Sequence, residues 1–106
     1  WFVFSGMGSQ WPGMAKEMMK IPVFRQKIEK CAAALKQFNV DLVELVTNGT
    51  ETTFENVVNS FLSIAAVQVA LVDLLFFVGV EPDGIVGHSV GELGKNHNIS
   101  NLYLQT

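Results

Sequence analysis

The run from Phe61 to Val78 has the fewest structural options of any part of this chain. It is apolar apart from Ser63, Gln68 and Asp73, and its length reaches the lower end of what can cross a bilayer. It must therefore be a membrane helix or the buried helix of a core. Asp73 decides between them, because an Asp near a bilayer centre costs about 2.5 to 3.5 kcal/mol on insertion scales. The expectation is a core helix that stops at Gly79, where a left-handed backbone is free to form.

The rest of the chain can supply that core. Its 106 residues are 49% apolar and 16% charged, enough for one small packed domain and unlike a disordered segment. A net charge of -3 and a pI near 5.2 provide no basic footprint, so neither nucleic acid nor an anionic membrane is expected as a partner. Cys31 has no second cysteine to pair with, and without CxxC spacing no metal site is expected. That cysteine usage fits a reducing compartment, and a cytoplasmic location is expected. Asn48-Gly49-Thr50 and Asn98-Ile99-Ser100 match the glycosylation triplet, which matters only in a secreted chain, and are read as chance matches.

Trp1 to Phe4 is too short for a signal segment and runs into Ser5-Gly6-Met7-Gly8, the pattern of a buried strand feeding a tight loop. Met14 to Met19 predicts one or two helical turns. Pro22, followed by Phe24, Ile28, Cys31 and Leu35 at three- and four-residue spacing, predicts an amphipathic helix over 22–37. Asp41 is placed to cap a short helix carrying Leu42, Leu45 and Val46 that ends at Asn48-Gly49, and Thr52 or Thr53 to open the next turn. Glu81-Pro82-Asp83 then leads into Gly84-Ile85-Val86-Gly87, a second short strand. Strand, helices, strand describes an α/β layout with a mainly parallel sheet.

Gly87-His88-Ser89-Val90-Gly91 fits G-x-S-x-G, in which a nucleophilic Ser stands on a strained strand-to-helix turn and flanking glycines relieve crowding. The turn would lie at the carboxyl edge of the sheet, where α/β folds place their sites. A helix starting at Ser89 would aim its free N–H groups and dipole at the reacting oxygen. The same residues also allow a plainer arrangement, a capping box between Ser89 and Glu92. His88 is adjacent to Ser89 and points elsewhere in so sharp a turn, so it is read as an elbow packing residue rather than the base. His97 lies in a polar stretch and is read as solvated, which leaves the chain without a base.

Further blocks accompany the elbow in a fixed order: Phe2 to Met14, Pro22-Val23-Phe24 with Cys31 and Leu35, Gln68 to Leu71, and Pro82 to Glu92. Together they resemble the acyl-CoA:acyl-carrier-protein acyltransferase family. Met7 in the glycine loop and Phe61 on the long helix resemble the malonyl/acetyl acyltransferase domain of an animal-type fatty acid synthase. The resemblance implies a partial α/β-hydrolase-like acyltransferase core, a parallel sheet with helices, truncated before a ferredoxin-like subdomain. It implies that Ser89 takes a malonyl or acetyl group from CoA and passes it to the phosphopantetheine thiol of the acyl carrier protein domain, alongside the other synthase domains. The oxyanion would be held by the backbone N–H groups of Met7 and Val90, with Gly87, His88 and Gly91 shaping the elbow. No bound cofactor is implied, since the CoA thioester and the phosphopantetheine are substrates. The family's base and carboxylate-binding Arg lie further along its sequence.

The resemblance spans 1–94; residues 95–106 are expected to be a non-family polar tail, from an altered splice, a frameshift or a gene fragment. The fragment alone is expected to be inactive. Two other function classes stay open: a non-catalytic interaction fragment, and a small serine esterase with its base elsewhere.

Overall fold

A computed structural model describes residues 1–6 and 8–88. Two short strands, β1 (Phe2–Phe4) and β2 (Ile85–Gly87), enclose four helices in sequence: α1 (Pro22–Leu35), α2 (Leu42–Asn48), α3 (Glu51–Phe54) and α4 (Val57–Phe77). The strands pair in parallel with Phe2 opposite Ile85, Val3 opposite Val86 and Phe4 opposite Gly87. A parallel pair needs a crossover, and the helices are that crossover.

α1 forms where the spacing predicts it. Pro22 occupies the first turn, where its missing N–H has no helical partner to lose, and Phe24 and Ile28 are fully buried on one face. Cys31 and Leu35 continue that stripe half-buried, and a single tight turn, Lys36–Phe38, finishes the segment. The expected turns at Met14 to Met19 are a series of hydrogen-bonded turns followed by the short 3-10 helix Met18–Lys20.

Asp41 caps α2 by accepting from the Glu44 N–H at 3.2 Å. The next turn opens at Thr50, not at Thr52 or Thr53. Thr50 and Thr53 satisfy each other's backbone N–H in a reciprocal capping box, and Thr53 takes the inner position of the pair. α4 starts at Val57, four residues ahead of the apolar run, because the Asn56 carboxamide accepts from Val58 N and Asn59 N. Two buried serines of α4 bond back to carbonyls, Ser60 Oγ to Phe54 O at 2.6 Å and the interrupting Ser63 Oγ to Asn59 O at 2.7 Å. At the far end Gly79, at φ +85°, donates to Phe76 O, and Val80 N donates to Leu75 O, a Schellman ending.

The core lies between α1, α2 and α4, where Phe24, Ile28, Leu42, Leu45 and Val46 meet Ala66 and Ala70. The small α4 residues let the helices approach closely. Asp73 on α4 pairs with Lys27 of α1 at 3.3 Å, so the charge within the apolar run has its counter-ion on the helix beside it. Both groups are partly exposed, and such a pair contributes about 0 to 1 kcal/mol. Among the described residues, α4 is the one helix long and apolar enough to cross a membrane, and a third of that stretch is buried.

The strands depart from expectation. A buried parallel pair is covered on both faces, yet only Phe4 is buried, while Val3 and its partner Val86 are 72% and 46% exposed. β1 and α4 line a common cleft, with Phe2, Val3 and Phe4 facing Leu71, Val72 and Leu75 across it. Val86 of β2 and, at the end of α4, Phe77 and Val78 are open to solvent.

Candidate functional site: the carboxyl edge of the parallel pair

Both strands end at one edge of the sheet, and their register decides what meets there. Phe4 is opposite Gly87, and the His88 N–H donates to Phe4 O at 3.1 Å, carrying the ladder one residue past β2. The chain thus leaves the sheet at two adjacent points. One exit is Ser5-Gly6 and the glycine loop. The other is His88, immediately before Ser89.

Hydrogen bonds tie down the glycine loop from several sides. Gly6 O accepts from Ser9 N at 3.3 Å and from Ser9 Oγ at 2.7 Å, closing a turn. Gly8 sits at φ +100°, a conformation open to glycine and costly for a side chain, and its N–H donates to Gln10 Oε1 at 2.8 Å. From α4, Gln68 Nε2 donates to Ser5 O at 2.6 Å across 63 positions of sequence. A cleft of about 280 Å³ between this loop and α4 is lined by Ser5, Ser9, Trp11, Met14 and Gln68 among others.

Of the residues expected to carry chemistry, Gly87 closes β2 and His88 lies exposed at its end. Ser89, Val90, Gly91 and Met7 lie outside the described residues, as do Glu92, His97 and the stretch 95–106. The described part therefore brings together the two loop stems on which these residues are mounted. In sequence, Gln68 stands out only as part of the Gln68 to Leu71 block and as a polar interruption of the apolar run. Its one available signal was a carboxamide in a helix otherwise nearly free of polar groups. A groove of about 640 Å³ between α1 and α2, lined by Glu29, Lys36 and Asp41 among others, includes no residue of this edge. Among the described residues no group of His, Cys, Asp or Glu is arranged to hold a metal.

This geometry has close counterparts. A loading acyltransferase from the avermectin modular polyketide synthase superposes with a TM-score of 0.78 at 37% identity, over 92% of this chain and 31% of that one. The acyl-carrier-protein S-malonyltransferase of Burkholderia pseudomallei gives a TM-score of 0.78 at 26% identity, over 88% and 30%. In sequence, the highly reducing polyketide synthase otaA of Aspergillus niger is 45% identical over 98 residues. The spectinabilin polyketide synthase system protein NorA' of Streptomyces orinoci is 46% identical over the same length. Each of these alignments takes in 87% of this chain but only 4% and 3% of the synthase, so the chain spans a small part of the relatives it matches. Both sequence relatives are polyketide synthases and one solved structure is a malonyltransferase, so the animal-type fatty acid synthase expected from Met7 and Phe61 finds no support among them. The coarser assignment rests on all of them. The acyl transferase domain family matches residues 1–104, beyond the boundary at 94 drawn from the sequence, and the α/β core with its two-stem edge is part of that domain's fold: the chain belongs to the acyl transferase domain family.

Proposed function

We propose that this chain supplies the nucleophile and the oxyanion loop of a cytosolic acyltransferase that moves malonyl or acetyl groups from CoA to a carrier protein. One observation supports the reading above others: the parallel register sets the stem of the glycine loop beside the stem of the G-x-S-x-G turn. An acyl transfer needs a nucleophile and an N–H donor converging on one carbonyl, and adjacent stems bring them within reach.

In this mechanism Ser89 Oγ attacks the thioester carbon and its proton passes to a base. The carbonyl becomes an oxyanion held by the amides of Met7 and Val90, then collapses as the C–S bond breaks and CoA leaves as the protonated thiol. The phosphopantetheine thiol repeats the attack on the Ser89 ester, and the serine oxygen recovers its proton.

We assign the parent enzyme to fatty acid synthesis on Met7 and Phe61, the latter near the start of α4 and partly exposed. The polyketide synthase relatives favour a second reading, a polyketide extender or loading domain. Transfer of labelled acyl groups to carrier protein by the full-length protein carrying this sequence tests both. Comparable transfer of malonyl and acetyl is expected, preference for another acyl group would move the assignment to the second reading, and no transfer from any CoA thioester would overturn both.

A further inference from the structure

Gln68 makes a contact that its helix does not need. It sits in a run where leucine or valine would pack as well, and its amide is only half used. Nε2 donates to Ser5 O at 2.6 Å, while Oε1 is buried with no hydrogen-bond partner among the described residues. An apolar residue here would strand no oxygen, but it would also leave the Ser5 carbonyl without this donor. The bond lands on the first residue after β1, one residue before Gly6, whose carbonyl is held by Ser9, and Gly8 is held by Gln10. Ser5, Gly6 and Gly8 thus each have an anchored backbone group, and the Ser5 contact is the one among these that comes from another element of the core.

We propose that Gln68 is a positioning residue for the acyl-transfer step, fixing the Ser5 carbonyl and with it the stem of the glycine loop to which the proposed function assigns an oxyanion donor. The inference rests on the reading given under Proposed function. Its physical basis is that an oxyanion donor works only when pre-organised, and a displacement of about 1 Å can cost on the order of a hundredfold in rate. A bond from a packed helix to the loop stem limits such displacement.

The test uses the full-length protein and the pre-steady-state rate of Ser89 acylation by malonyl-CoA. Gln68→Met keeps the bulk and removes the donor; kcat for acylation should fall on the order of a hundredfold with KM little changed. A merely structural contact would lower the unfolding midpoint and leave the rate of the folded fraction untouched, and that outcome overturns the proposal. Gln68→Glu gives an independent reading in a single folded variant. Its carboxyl can donate to Ser5 O only when protonated, so acylation relative to wild type should recover as pH falls. A ratio independent of pH overturns the proposal. Ser89→Ala separates the layers: if it still acylates, the underlying function is wrong, whereas a silent Ser89→Ala beside a fast Gln68→Met removes only the role of Gln68.

Discussion

Replacing His88 by proline removes the one backbone donor that extends the ladder past β2 while leaving the strand residues intact. The His88 N–H bonds to Phe4 O at 3.1 Å, and Phe4 is 5% exposed, so a proline leaves that carbonyl stranded where water reaches it poorly. Leaving a buried acceptor unmade costs about 1 to 3 kcal/mol. The functional loss should be larger than this suggests, because the bond sits between the stems of the two loops. If they part by about 1 Å, acylation should slow on the order of a hundredfold. His88→Ala is the comparator, since it keeps the N–H and loses only the imidazole. Denaturant unfolding and the acylation rate with malonyl-CoA, measured on both variants in the full-length protein, give the two numbers. Proline and alanine variants of equal stability and equal rate would refute the claim that strand pairing through His88 aligns the site.

Two further outcomes test the packing. A methyl added at Gly49 would lie 2.5 Å from Leu45 O and 3.0 Å from the ring of buried Phe54, so Gly49→Ala should lose about 1 to 3 kcal/mol in urea unfolding; an unchanged midpoint would contradict the close approach of α2 and α3. Burial raises the pKa of the Cys31 thiol, with Lys27 opposing and Asp73 assisting, so the folded chain holds less thiolate than the unfolded one. Iodoacetamide should therefore alkylate Cys31 more slowly in the native protein than in urea at about pH 8. The sign for stability follows: the contribution is full below the unfolded pKa and is lost as pH rises through the folded one. Equal alkylation rates would show that the α1 face of Cys31 is open to water.

Much of the fold could be read from spacing and punctuation. Phe24 and Ile28 announce the buried face of α1, Asp41 its successor's cap, and Gly79 the Schellman ending of α4. The misreadings have physical causes. Three threonines lie within four residues, and only a reciprocal side-chain bond singles out Thr50 as the cap. Ser63 looks like an interruption, yet its hydroxyl is satisfied on Asn59 O, and the Asn56 cap starts α4 at Val57, ahead of the apolar run. The apolar strands read as buried on both faces, but burial depends on neighbours that a strand's own residues do not encode, and Val3 and Val86 face outward. At the site, the motif points to Ser89, and the glycines point to a loop. That the two stems are adjacent is a matter of register between residues more than eighty positions apart, and the anchoring role of Gln68 depends on the same long-range geometry.

The central claim is that Ser89 is the acyl-accepting nucleophile, and covalent labelling tests it most directly. The full-length protein is incubated with radiolabelled malonyl-CoA, quenched in acid, and scored for protein-bound label as wild type, Ser89→Ala, and alanine variants of Ser5, Ser9, Ser60, Ser63 and Ser100. Ser60 and Ser63 are buried on carbonyls, and Ser9 closes the loop turn, so none of these is free to attack a thioester. The account predicts that Ser89→Ala carries no label, because a methyl group can neither attack the thioester nor hold the acyl group between half-reactions, while the other variants remain labelled. Wild-type stoichiometry of malonyl on Ser89→Ala would contradict it and reduce the G-x-S-x-G turn to a helix cap.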